Sequence, residues 1–523
     1  MNNKALKFLA SAAVAAFFVG CSSDSHAPST PKDEAPASSS SVNLDELLGL
    51  SSSSAETPSA KSSASNAKSS SSIEGASKVS SSSKESSVVK PVESDIERSA
   101  CDSKMSDVEL QALDATNSKA FELFKTLGNE RFADAQELSA EVKPMYAKIL
   151  QKYPNSCGAQ LGYAVSSLVD LINNPEVKKF VETINDADEA TWLYEGTLKT
   201  SKFLKSFANR AGESITINAQ NIIATQVLPA LDTSIAYMQN VLAQDDYTMQ
   251  FMADGRKREL DKSEFGPALG AMFGAKAVFT MAVSLNFEFD ENGSYDWFAN
   301  YTDVRLTDVG AHSAKQTAAI RFLSNLLGRN GVFSAVNPGW EKQWNSVPAL
   351  LDSALRETRA GLKYGINESM DEGSQIYDIY VVGDGADADV SVKDLQDAVS
   401  AIDVILNEVL DGPYIIDFGD VKGDLDYKLT VDIKKLFENT KGYEPFLPYY
   451  SFEDPSDFGT FYFTDAEGNK VSTLRDFQGD NTHLTEANVY NKLYFPDPSF
   501  GGIFPKFKTQ KDVWDFLIQL DRL

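Results

Sequence analysis

Histidine, cysteine and positive charge are what this chain has least of. Of its 523 residues, three are His (His26, His312 and His483) and three are Cys. Three His cannot build a His-rich zinc site, and at most two of them fall in any folded part for imidazole acid/base work. Lys and Arg total 48 against 75 Asp and Glu, a formal charge of -27. An acidic excess of this size excludes a protein that grips nucleic acid, because phosphate contact needs clustered Lys and Arg. The chain carries no G-x-S-x-G, no H-E-x-x-H and no Cys–His pair, so the familiar nucleophile and metalloprotease motifs are missing. A glycosidase carboxylate pair has no spacing of its own in sequence, and no such pair can be named. No residue pattern calls for a cofactor.

What is present begins with an address. Asn2, Asn3, Lys4 and Lys7 form a short basic region, and Phe8 to Gly20 is an apolar run of thirteen residues. That is too short to span a bilayer and right for a signal sequence. The run ends in Phe18-Val19-Gly20-Cys21, which resembles the lipobox of bacterial lipoproteins, with Phe18 standing where the family usually has Leu. The resemblance implies cleavage before Cys21 and lipidation of its thiol and new amine. Several buried acyl chains give stable anchoring, at about 0.8 kcal/mol per CH₂. Ser22, rather than Asp, follows the Cys, which by the family's sorting rule implies the outer membrane, with its periplasmic or outward side left open. Residues 1–20 are accordingly the signal peptide.

Residues 21–100 read as the lipidated Cys and a tether. Ser22 to Ser99 holds 29 Ser in 78 residues, with tetrads such as Ser38–Ser41 and Ser80–Ser83. Too little apolar surface is present to offset the entropy of ordering, so a disordered, solvated segment is expected. Flexible-chain scaling gives it a mean span of roughly 50 Å. Compositionally it looks like the serine-rich linkers on surface proteins of fibre-degrading bacteria. Asn43 to Leu50 is the one interruption that stands out, either a single amphipathic docking turn or, the plainer reading, a chance cluster.

With Cys21 lipidated, Cys101 and Cys157 remain, an even number outside the reducing cytosol. A bridge between them closes a loop of 57 residues, for which chain entropy predicts about 4 kcal/mol.

Residues 101–370 read mainly as helix. Tyr146, Ile149, Leu150 and Tyr153 share one face by the i, i+3, i+4, i+7 rule, Pro154 stops that helix, and Cys157-Gly158-Ala159 begins the next. This hinge resembles the junction between tetratricopeptide repeats, where small residues let paired helices approach. Gly162 falls earlier than the repeat's spacing, and no second clean copy follows, so the resemblance implies degenerate helical hairpins. Tyr247 to Leu260 alternates, turns at Ala253-Asp254-Gly255 and returns, a β-hairpin pattern. Gly266 to Leu285 is apolar nearly all round, interrupted by Lys276, and reads as a central buried helix.

From residue 371 to 523 the pattern changes to short strands, turns and aromatics, an acidic α+β module with a packed C-terminal tail. This stretch carries -17 of charge, against -8 for residues 101–370 and -4 for the tether. Strands are expected at Tyr377–Val382, Tyr414–Phe418, Tyr427–Ile433, Gly459–Phe463 and Lys470–Thr473, and a helix from Ser391, which has Asp394 three residues on. Gly383-Asp384-Gly385-Ala386-Asp387-Ala388 imitates a dinucleotide fingerprint, but Asp384, Asp387 and Asp389 would repel a pyrophosphate. The same carboxylates are a weak calcium candidate, because Ca²⁺ takes hard oxygen ligands, and a solvated acidic loop is the plainer reading.

Aromatic residues offer the remaining surface idea. Trp340 and Trp344 lie one turn apart on a helix and would make a sugar-stacking platform if exposed, with Tyr449 and Tyr450 as a second cluster. Aromatic stripes at helical spacing are more often core.

The fold expected is therefore mainly α: a helical-hairpin domain, tetratricopeptide-like, with a small α+β module behind it and a Ser-rich tether in front. The function expected is a non-enzymatic, membrane-anchored binding or scaffold lipoprotein with a protein partner in the cell envelope. Glycan capture is the alternative, polysaccharide then being the partner, and a surface glycoside hydrolase stands third.

Overall fold

The computed structural model describes residues 100–127, 138–177, 220–244, 247–286 except 254, 334–370, 391–421, 427–452, 461–473 and 493–520, with short pieces at 197–199, 303–305, 375, 377–378, 381–383 and 390. These residues belong to one compact unit, mainly helical with small antiparallel sheets. Residues 1–99, with Cys21 and the Ser-rich segment, lie outside them.

The N-terminal layer is a set of short helices. Helix α1 (Asp107–Leu127) opens where Ser106 and Glu109 close on each other, the Ser106 amide and hydroxyl donating to the Glu109 carboxylate at 3.0 and 2.7 Å. Lys152 and the Tyr153 hydroxyl converge on the same carboxylate and, with Ser106, hold it well below the usual carboxylate range. Helix α2 (Lys143–Lys152) and helix α3 (Cys157–Asn173) form the expected hairpin. Pro154 cannot continue α2, and Ser156 caps α3 by accepting from the Ala159 amide at 3.3 Å. Tyr146 is fully buried between them, its hydroxyl donating to Asn117 Oδ1 at 2.8 Å.

Helix α4 (Leu228–Leu242) follows a π-type turn at Ile223–Val227 and joins α3 through Ser234, whose hydroxyl donates to the Ala164 carbonyl at 2.8 Å. Short strands β1 (Thr197–Lys199) and β4 (Asp303–Arg305) pair antiparallel. Strands β2 (Met249–Ala253) and β3 (Arg256–Leu260) form the hairpin read from the sequence, turning at Gly255 with φ +71°.

Helix α5 (Lys262–Ser284) is the centre of the structure. By length and composition it would suffice to cross a membrane; here it packs between α4 and helix α6 (Glu341–Glu368). Its Gly positions let α6 approach closely. A Cβ on Gly266 would stand 2.7 Å from Gly361 Cα, and one on Gly270 would stand 2.0 Å from Thr358 Oγ1. Lys276, which breaks the apolar run, pairs with Asp232 of α4 at 2.6 Å.

The C-terminal part is built on α6. Helix α7 (Val392–Val404), capped by Ser391 and continued by a π-type turn at Ile405–Leu410, packs against it. Strands β5 (Tyr414–Asp417) and β6 (Lys428–Val431) pair, helix α8 (Ile433–Glu438) follows, and β7 (Tyr450–Phe452), β8 (Phe461–Thr464) and β9 (Lys470–Thr473) make a three-stranded meander. Around Tyr377–Val382 the described residues make only isolated bridges, at Asp378 and Val382. There the Val382 amide donates to the Gln375 side chain at 3.0 Å in place of a strand partner. The tail packs back: Phe495, Phe500, Phe504 and Phe507 gather around Trp514 and Phe516 of helix α9 (Gln510–Leu520).

Candidate functional site

The two Trp do not form a platform. Trp344 is 5% exposed, its ring 4.8 Å from that of Phe437 and its indole N–H donating to the Asn439 carbonyl at 2.9 Å. Trp340 is half-buried at the start of α6, packed on the apolar clusters to either side. Of the two readings of this pair, the burial of Trp344 agrees with core and removes the exposed platform. Trp344 begins an inward stripe that continues through Val347, Ala354, Gly361 and Gly365, so its place on the helix makes it core. Tyr449 and Tyr450 are half-buried; Tyr449 stacks on Tyr494 with centroids 5.9 Å apart, and Tyr450 opens β7. Asp384, Asp387 and Asp389 lie outside the described residues, as do His312 and His483. Cys101 and Cys157 stand at disulfide distance, with Cα atoms 5.8 Å apart. Beside them Asp102 accepts from the Ser156 hydroxyl at 2.5 Å, tying the entry of the chain to the cap of α3.

A polar groove opens across α3 and α4, about 350 Å³ in volume. Lys143, Tyr163, Ser167, Asp170, Asn174 and Gln226 line it. Lys143 pairs with Asp170 at 2.6 Å and lies 5.6 Å from the centre of the Tyr163 ring, while Asn174 donates to Gln226 at 3.1 Å. The Ser167 hydroxyl is buried with no hydrogen-bond partner. A groove of amides, a tyrosine ring and one ion pair suits recognition of a polar segment by hydrogen bonds.

The second concentration of chemistry is a cluster of carboxylates where β3 runs into α5. Glu259, Asp261 and Asp378 each place one carboxylate oxygen within 4.8 Å of the others. Asp261 is 1% exposed and Asp378 6%. A parallel bridge sets Asp378 beside Glu259, whose amide donates to the Tyr377 carbonyl at 2.8 Å, and the Gln250 side chain donates to the Glu259 carboxylate. Asp261 and Glu264 form a capping box. Asp261 Oδ1 accepts from the Ser263 amide at 2.6 Å and Glu264 Oε2 from the Asp261 amide at 3.0 Å. The close α5–α6 packing brings Glu368, at the end of α6, to the same place.

Burial is the main force on these acids, and neighbouring negative charge adds to it. Burial, then the charges of Asp261 and Glu259, pushes Asp378 up to about 7. Burial, then Asp261 and Asp378, pushes Glu368 up to about 8. Glu264 is raised well above the usual carboxylate range for the same two reasons.

The capping box is readable in Asp261-Lys262-Ser263-Glu264, but the cluster is not. Its members come from a strand, two helices and a connecting segment, and no spacing joins them. Compared with known protein families, curated proteins and solved structures, the chain matches none.

Proposed function

We propose that this chain is an outer-membrane lipoprotein that acts without catalysis, holding a helical binding domain by a Ser-rich tether for a protein partner in the cell envelope. The α2–α3 hairpin and α4 serve as degenerate tetratricopeptide-like units, and the groove across them is the docking surface. The observation that carries this reading is the groove itself, with the buried, unpartnered Ser167 hydroxyl among its lining. A partner's backbone would satisfy that hydroxyl.

The test is site-specific photo-cross-linking in intact cells from Thr233, an exposed position on the groove's rim. Discrete adducts from Thr233, and none from an exposed site far from the groove such as Asp397, are expected. Equal labelling from both sites would sink the proposal. Glycan capture is the alternative reading, and with Trp344 enclosed its aromatic support narrows to Tyr449 and Tyr450. Retention on insoluble polysaccharide without any protein adduct would favour it. For the anchor, Cys21→Ser should release the protein from the membrane fraction; unchanged fractionation would exclude lipidation at that residue.

A further inference from the structure

Two helical stripes wall the groove across α3 and α4. Tyr163, Ser167, Asp170 and Asn174 recur along α3 at the spacing of one face, and Gln226, Ala230 and Thr233 do so on the facing side. The helices run antiparallel, joined by hydrogen bonds from Asn174 to Gln226, Ser234 to Ala164 and Asn240 to Gln160, so the walls are fixed before anything binds. A π-type turn at Leu138–Val142 delivers Lys143 to the groove, and the π-type turn at Ile223–Val227 holds Gln226; such turns recur at functional sites.

What the groove leaves unsatisfied defines its ligand. Ser166, Thr225 and Thr233 return their hydroxyls to the carbonyl one turn back, at 2.6, 2.6 and 2.9 Å. Ser167 does not: it is 7% exposed, and its hydroxyl has no partner among the described residues. A buried hydroxyl left in that state is costly and calls for a partner from outside. The Gln226 Nε2 group finds no acceptor among the described residues nearer than Thr225 Oγ1, at 3.5 Å. The charges, by contrast, are already matched, Lys143 to Asp170 at 2.6 Å. Resting on the groove as the docking surface, we propose that its occupant is an uncharged polar stretch of the partner, bound extended and read through its main chain by Ser167 and Gln226.

Length and composition narrow the occupant further. From Tyr163 to Asn174 the α3 stripe rises roughly 16 Å, and from Gln226 to Thr233 the other rises roughly 10 Å. An extended chain at about 3.3 Å per residue places roughly three to five residues in that length. A strongly acidic or basic motif has no counter-charge to meet, because the ion pair neutralises itself. Aliphatic side chains find little either, since Leu171 and Ala230 alone among the lining residues are aliphatic. Stacking of a sugar is disfavoured in turn: the Tyr163 ring already meets the Lys143 ammonium at 5.6 Å and the Tyr237 ring edge-on at 5.7 Å.

The test probes the full chain on an array of pentapeptides built from Ser, Asn, Gln, Gly, Asp, Lys and Leu, with backbone-N-methylated copies. Retention should be about tenfold stronger on spots of Ser, Asn, Gln and Gly alone than on spots carrying Asp, Lys or Leu, and it should persist at high salt. Ser167→Ala removes a hydroxyl that holds nothing in the fold, so it should melt no lower than wild type while binding about tenfold more weakly. Ser166→Ala, whose hydroxyl is engaged inside α3, should bind as wild type does. The proposal is overturned if charged or Leu-containing spots are retained as strongly, if N-methylation leaves retention unchanged, or if no spot is retained. It is also overturned if Ser167→Ala binds as tightly as wild type, or if cellopentaose displaces the retained protein, which would mark a glycan site. Thr233 adducts alongside any of these results keep the docking surface and remove only this account of its occupant; absence of those adducts removes both.

Discussion

The ring of Tyr146 lies where a side chain on Gly162 would begin. A Cβ at position 162 would stand 2.1 Å from Tyr146 Cζ and 2.4 Å from the ring carbons beside the hydroxyl-bearing end. Tyr146 has nowhere to retreat, because it is fully buried and held by its bond to Asn117. Two effects of Gly162→Ala therefore compete. Helix propensity favours Ala by about 1 kcal/mol, whereas overpacking a rigid core costs about 1–3 kcal/mol or more. At this distance the clash prevails, and a net loss of about 2 kcal/mol in urea unfolding is expected. Gly274→Ala is the counterpart in α5: its Cβ would meet no atom within 4 Å, so a gain of about 0.5–1 kcal/mol is expected. Equal effects at the two sites would refute the assignment of the cost to Tyr146.

Joining Cys101 to Cys157 would restrain the unfolded chain over a separation of 56 residues. Reduction, or Cys101→Ser with Cys157→Ser, should then lower stability by about 4 kcal/mol on the chain-entropy estimate. Chemical denaturation with and without reductant measures this. Rapid thiol labelling of the untreated native protein would show that the bridge is not formed.

Trp344 should behave as core and not as a ligand contact. Trp344→Ala removes the packing on Phe437 and leaves the Asn439 carbonyl without its donor, so a loss of about 3–5 kcal/mol is expected. Trp344→Phe keeps most of the ring contact and loses the hydrogen bond, for about 1–2 kcal/mol. Denaturation midpoints distinguish these, and a Trp344→Ala variant as stable as wild type would contradict the burial.

Local chemistry made much of this architecture legible. The Tyr146-Ile149-Leu150-Tyr153 face and the stop at Pro154 announce α2, the Ala253-Asp254-Gly255 turn announces the β2–β3 hairpin, and Ser391 with Asp394 announces α7. Each is a signal contained within about a dozen residues. Side-chain placement across elements was less legible. Helical spacing puts Trp340 and Trp344 near each other, but whether that face meets water depends on where Phe437 arrives, almost a hundred residues later. The carboxylate cluster is the extreme case. In sequence Asp261 and Glu264 are a helix cap, Glu259 is one acid in a charged strand, and Glu368 and Asp378 are surface-type residues. Only the glycine-mediated approach of α6 to α5 and the bridge from β3 to Asp378 assemble them.

That assembly carries a pH signature. Asp378 and Glu368 have ordinary values of 3.8 and 4.5, and the fold raises them to about 7 and about 8. Between those limits the native state holds protons that the unfolded chain has released, so stability falls as pH rises. The contribution is complete below about pH 4 and is lost as pH passes through 7 to 8. Carboxylates shifted the other way act elsewhere. Glu109 and Asp417 are depressed by Lys152 and Lys428 respectively, and their stabilisation is already complete above pH 5 and lost only on acidification. Burial raises Tyr146, whose contribution changes only above its ordinary value of 10. Burial also raises Glu357 in the middle of α6, so the interval from pH 5 to 8 reports the cluster together with that residue. Tm should fall steadily across it, and Asp378→Asn with Glu368→Gln should reduce the slope, leaving the part due to Glu264 and Glu357. A Tm that rises between pH 5 and 8 would mean that these carboxylates are not held protonated by the fold.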